Sequence, residues 1–96
     1  MADRRVPVPE NPLEYELQEA RAVSLGAAGK KVELALAALA RGEAPREHLL
    51  DTAANAVWEL LITRESLRFY DHKIALAYFE IPPAVMARVG VIKPKS

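Results

Sequence analysis

Apolar residues advance along the first part of the chain by three or four positions, through Leu13, Leu17, Ala20, Ala28, Val32, Ala35, Leu36 and Leu39, with Ser24 the one polar member of the row. A 3.6-residue period of this kind predicts an amphipathic helix. Its ends are signalled chemically. Asn11 stands where an N-cap belongs, Pro12 fits the first helical position, and Glu14 is spaced to reach back to the cap N–H. Arg41 supplies a cation for the last turn and Gly42 follows where a left-handed residue closes a helix. The first helix is therefore predicted over about 12–41.

Pro45 repeats the proline-first device, and a second helix is predicted from about 44 or 45 to about 70. One of its faces carries Leu49 or Leu50, Ala53, Val57, Leu60, Leu61 and Leu67, and another carries Ala54, Trp58, Ile62 and Phe69. One neighbour alone would leave Trp58 or Leu60 in water, so the pattern requires burial from two directions. Asp71 can cap a third helix over about 72–79, which presents Ile74, Ala77, Tyr78 and Phe79. Ile81-Pro82-Pro83 stops it, because a residue before proline leaves the helical region and a proline donates no hydrogen bond. A fourth helix over about 83–89 is predicted to end at a left-handed Gly90, with Ile81, Val85 and Val89 turned to the core and Arg88 outward. Residues 1–11 read as an extended arm, 12–91 as one helical domain and 92–96 as a tail.

Length then constrains the architecture. A 30-residue helix is about 45 Å long, whereas a compact chain of this size is about 32 Å across. Either the first helix bends at Gly26 to Gly29, or two long helices form an elongated hairpin covered by a second copy. The row Ala22, Gly26, Gly29 could equally admit a close neighbour. The two-sided second helix favours the hairpin. The fold class predicted is all-α, two long antiparallel helices plus two short C-terminal ones, with a dimeric four-helix core whose interface uses Val57, Trp58, Leu61 and Ile62.

Composition removes several functions. Thirteen basic and thirteen acidic side chains cancel, so no overall field gathers nucleic acid or anionic membrane. The absence of cysteine excludes disulfides, a thiolate nucleophile and zinc-thiolate sites. No apolar run is long enough for a membrane span and "MADRRVPVPENP" lacks the apolar core of a secretory signal, so a cytoplasmic protein is expected. His48 and His72 lack a glutamate three residues earlier, since Pro45 and Phe69 stand there, and the diiron spacing fails. His48 with Asp51 has no nucleophile nearby in sequence. Ser24, Ser66 and Ser96 lie in no nucleophile elbow, and "LGAAGKK" departs from the phosphate-loop spacing, leaving Lys30 and Lys31 as a solvated edge with Glu33. No catalytic residue, no cofactor and no metal site is predicted, and the chain reads as non-enzymatic.

Two stretches could still carry chemistry. In "WELLITRESLR", Arg64 falls near the apolar stripe and Glu65 and Arg68 follow, forming an ion-pair or ligand cluster in which Glu14, Glu16 or Glu59 would neutralise Arg64. In "YFEIPPAVMARVGV", the double proline and short helix suggest a helix-turn-helix. A DNA-reading helix needs polar and basic side chains along its exposed face, and this one offers Arg88. From residue 71 onward four basic residues oppose two acidic ones, a net of +2, so nucleic acid is not the expected partner and the segment reads as a corner.

With "NPLEYELQEARAVSLGAAGKKVELALAAL", "ANAVWELLITRESLRFYD" and "IPPAVMARVGV" in that order, the chain resembles, over about residues 11–91, a family of small, largely proteobacterial proteins known as a domain of unknown function. The resemblance implies a bacterial, soluble, helical protein and carries no activity or site residue. The leading expectation is a homodimeric protein-interaction module with an aromatic surface at Phe69, Tyr70, Tyr78 and Phe79 and an unidentified protein partner. The alternatives are a small nucleic-acid regulator using the C-terminal segment with Arg4-Arg5, and a ligand-binding protein with a pocket around Arg64, Glu65 and Arg68.

Overall fold

The computed structural model describes residues 12–92. The chain forms α1 (Pro12–Arg41), α2 (Arg46–Ser66), α3 (Lys73–Phe79) and α4 (Pro83–Ile92). The Asn11 cap, the Glu14 carboxylate, the arm 1–11 and the residues after Ile92 lie outside the described backbone or side chains. α1 and α2 pack together as the long antiparallel pair, and α4 packs against α2. α2 is thus the central helix. Its Ala53, Ala54 and Val57 are fully buried, α1 contributes Val32 and α4 contributes Val85, likewise without exposure. The burial from two directions that the α2 pattern demands is supplied by α1 and α4 of the same chain.

α1 runs without interruption through both glycines. The molecule is correspondingly elongated, 56 × 32 × 20 Å, with a radius of gyration of 16.5 Å against about 12–13 Å for a compact chain of this length. Length in α1 is therefore resolved by projection rather than by a break. Every described side chain from Leu13 to Ser24 is exposed, and burial begins at Leu25 and Ala28. The two glycines do different things. A Cβ on Gly29 would stand 3.2 Å from the Phe79 ring, so glycine there admits α3 closely, whereas a Cβ on Gly26 would meet nothing within 4 Å.

Three corners connect the helices, and each uses one left-handed residue. At Gly42 (φ 64°) the N–H of Gly42 donates to Leu39 O and that of Glu43 to Ala38 O. At Arg68 (φ 73°) the Arg68 N–H donates to Glu65 O and the Phe69 N–H to Arg64 O. At Glu80 (φ 52°) the Glu80 N–H donates to Ala77 O and the Ile81 N–H to Leu76 O. These paired bonds are the Schellman pattern, which satisfies carbonyls that a helix end leaves open. Glycine marked the first corner in the sequence. The other two are built by residues whose side chains give no such signal.

Two helix ends differ from the sequence prediction. α2 stops at Ser66, not near residue 70, because the left-handed Arg68 turns the chain. α4 continues through Gly90 to Ile92, so Gly90 is an interior helical residue and Ile92 belongs to the helix rather than to a tail. The predicted left-handed cap at Gly90 is therefore not formed. The apolar run Val89, Val91, Ile92 gives α4 no polar stop at that point. The buried row of α4 is as predicted, with Val85 and Val89 in the core and Ile81 packed against it.

The contrast between the glycines is measurable. Gly26→Ala should stabilise the fold by about 1 kcal/mol, because alanine restrains the unfolded chain and meets open space. Gly29→Ala should gain clearly less or lose stability, since Phe79 must move; urea denaturation of the two variants compares them directly.

Candidate functional site

The residues singled out for chemistry, Arg64, Glu65 and Arg68, meet at the corner between α2 and α3. Arg64 is in the last turn of α2, where a cation suits the negative end of the helix. Its side chain is not directed into the core toward Glu14, Glu16 or Glu59. It turns over the corner, with the guanidinium carbon 5.6 Å from the centre of the Phe69 ring. Its Nη2 donates to Asp71 O at 2.9 Å and its Nε to His72 Nδ1 at 3.3 Å. A guanidinium only donates, so Nδ1 accepts and the ring proton sits on Nε2, which donates to Glu65 Oε2 at 3.0 Å. The buried ion pair expected for Arg64 is replaced by a half-exposed guanidinium–imidazole–carboxylate line that ties both ends of the turn together.

Arg68 contributes backbone rather than charge to this cluster, as the left-handed residue that lets the line close. Asp71 Oδ1 accepts the Lys73 N–H at 3.1 Å from the position before the cap, because α3 starts one residue later than predicted and His72, not Asp71, is its N-cap residue. The hydroxyls nearest in sequence are engaged elsewhere, Thr63 donating to Glu59 O and Ser66 to Thr63 O, both at 2.8 Å. The polar groups of the corner thus hold its geometry. Sequence reasoning found Arg64 and Glu65 but kept His72 separate, because the turn that brings it back seven residues later had no glycine to announce it.

The other charged candidates also found partners across helices. Glu59 pairs with Lys31 of α1 at 2.7 Å, so Lys31 joins α1 to α2 instead of forming an edge with Glu33. Asp51 accepts not from His48 but from Arg88 of α4 at 2.6 Å, and Glu47 accepts from the same guanidinium. Hydrogen bonds to Glu47 first and Asp51 second raise the Arg88 pKa above its ordinary value. Arg88 lies at the flank of α4 and straps it to the first two turns of α2, so it is not the free outward residue predicted. Among the described residues no group of three or more His, Cys, Asp or Glu side chains could hold a metal ion, and no helix is long and apolar enough to cross a membrane.

Of the four residues assigned to an interface, Val57 is fully buried within the chain and leaves nothing for a second copy to touch. Trp58 and Leu61 are half-buried against the same core, and Ile62 is exposed. The aromatic surface is real but smaller than expected. Tyr70 and Tyr78 are largely exposed and Phe69 about half so, while Phe79 packs inward with the Tyr78 ring edge-on at 5.0 Å. Ile74, 74% exposed, completes this apolar surface on α3. Between α1, the end of α2 and α3 lies an open groove of about 290 Å³ whose walls include Leu25, Leu60, Ile74 and Tyr78.

Arg68→Gly should leave the fold intact and stabilise it by about 0.5–1 kcal/mol, because glycine occupies a left-handed position without a Cβ clash, less its larger unfolded-state entropy. Arg88→Ala should lower the thermal midpoint, and Arg88→Lys should restore only part of it, since an ammonium cannot span two carboxylates as a guanidinium fork does. The deficit of Arg88→Ala should shrink at high salt, where exposed ion pairs are screened.

No curated protein and no solved structure matches the chain. A family model does, over residues 5–96, which takes in all four helices and extends beyond the stretch of sequence resemblance at both ends. The chain belongs to the family of unknown function DUF6665.

Proposed function

We propose that the protein is a non-enzymatic, homodimeric protein-interaction module of the bacterial cytoplasm. The observation that carries this reading is the projection of α1. About four turns of helix, from Pro12 to Ser24, extend from the packed body with every described side chain exposed. Isolated helices of that length are marginal in water, and their stability normally comes from packing an apolar face. Leu13 at 61% exposure and Val23 at 71% supply such a face, and Ile74 and Tyr78 add a second apolar area on α3. Exposed apolar surface concentrated in this way marks association sites. The charged cluster at the α2–α3 corner and the strap at Arg88 are spent on structure, which is consistent with a protein that acts by contact.

The arrangement of α4 argues against duplex reading. Val85 and Val89 lie in the core, and the one arginine of α4 is held by two carboxylates, whereas a reading helix presents free donors to base edges. A ligand-binding role has less support, because the groove beside Arg64 is open and mainly apolar in its lining.

Light scattering at micromolar concentration should give twice the 10.6 kDa chain mass, and added duplex DNA should leave that mass unchanged at physiological salt, where non-specific contacts are weak. A monomer across the whole concentration range would refute the homodimer, and a stable DNA complex would replace it with the regulator.

A further inference from the structure

The outer face of α1 carries a row spaced by sevens: Leu13, Ala20, Ala27 and Leu34. All four are exposed, Leu34 to 59%. The row lies roughly 100° around the helix from the buried Ala28 and Ala35, so it is separate from the face that packs on α2. A seven-residue apolar spacing drifts about 20° per repeat on a straight helix and matches a partner helix that supercoils with it. Leucines stand at the two ends and alanines in the middle. Charge is divided along the same face: Glu16 belongs to the N-terminal half and Lys31 to the C-terminal half, and both are exposed.

Resting on the homodimer reading, we propose that α1 pairs with α1 of a second copy, antiparallel, about a two-fold axis between Val23 and Ser24. In that register the numbers of facing residues sum to 47. Leu13 faces the partner's Leu34, Ala20 faces the partner's Ala27, and Glu16 faces the partner's Lys31. An isologous contact repeats each of these pairs on the other side of the axis. The alanines let the helix axes approach to the short end of the usual 8–10 Å range. At each end Leu13 arrives beside Leu34 at an open groove of about 320 Å³ between α1 and α2, walled also by Ala38, Thr52 and Ala56. Lys31 already holds Glu59 at 2.7 Å, and its three donors can take the partner's Glu16 as well. A parallel pairing would instead set glutamate against glutamate and lysine against lysine. Charge complementarity therefore selects the second copy as the occupant of this face and fixes its direction.

The chain contains no cysteine, so exposed single substitutions report cleanly. Ala20→Cys mixed with Ala27→Cys should form a disulfide-linked dimer under mild oxidation. Neither variant alone should, because residues 20 and 20, or 27 and 27, would stand about 10 Å apart along the axis. Val23→Arg should raise the dimer dissociation constant at least about ten-fold through like charges meeting near the two-fold, with unchanged helical content by circular dichroism. Cross-linking within each single variant would mean a parallel pair and overturn the register. A dimeric mass without the mixed cross-link, but with cross-linking through Tyr78→Cys, would move the interface to α3 and sink the seam while the homodimer stands. Monomeric mass for the native chain would sink both.

Discussion

The apolar surface of α2 is wider than one helix can cover, and the rest of the structure follows from that excess. A single partner buries a stripe of about 100° on a surface helix. Leu50, Ala53, Ala54, Val57 and Leu60 span more than that and are all buried. Two elements must therefore dock on α2. α1 arrives through the short Gly42 corner, and α4 arrives only because α3 and two further corners reverse the chain. The short C-terminal helices complete the core, to which α4 contributes Val85 and Val89. The small size of Ala53, Ala54 and Ala56 brings the three helices close.

Because α4 has to return to α2, the corners carry much of the specification. Gly42 enters a left-handed conformation without a Cβ clash, but Arg68 and Glu80 enter it against the preference of ordinary residues. At Arg68 the strain is compensated locally. Arg64, His72, Glu65 and the Phe69 ring form one connected set of contacts across the turn. At Glu80 the compensation is packing, with Leu76 and Ile81 both lying against the core. The strap from Arg88 to Glu47 and Asp51 then fixes where along α2 the last helix sits.

α1 is longer than this core requires. Its C-terminal half, from Ala28 through Leu39, does the packing, and its N-terminal half extends into solvent. The same helix thus has an inward face that closes the monomer and an outward face with its own apolar spacing and its own division of charge. In the pairing proposed above, this length of α1 serves a second copy; Ile74 and Tyr78 on α3 are further exposed apolar side chains.

How much was legible in the sequence divides along the same physical line. Local signals determined the element order: the 3.6 period of Leu13 to Leu39, Gly42 after Arg41, the two-sided pattern around Trp58 and the proline stop at Pro82 each act within a few residues. The buried row Ile81, Val85, Val89 was readable for the same reason. What tertiary structure decided was which surface met which. The second cover for α2 is α4 rather than another chain, so Val57, assigned to an interface, is core. Arg64 turned to His72 and Asp71, and Glu59 to Lys31, because partners for long charged side chains are chosen by the path of the corners. The left-handed turns at Arg68 and Glu80 left no mark in residue type: the first is held by side chains that meet only once the corner has formed, and the second by packing of Leu76 and Ile81 against the core. Gly90 misled in the opposite sense: glycine permits a left-handed cap but does not require one, and the continuing apolar run carried α4 through it.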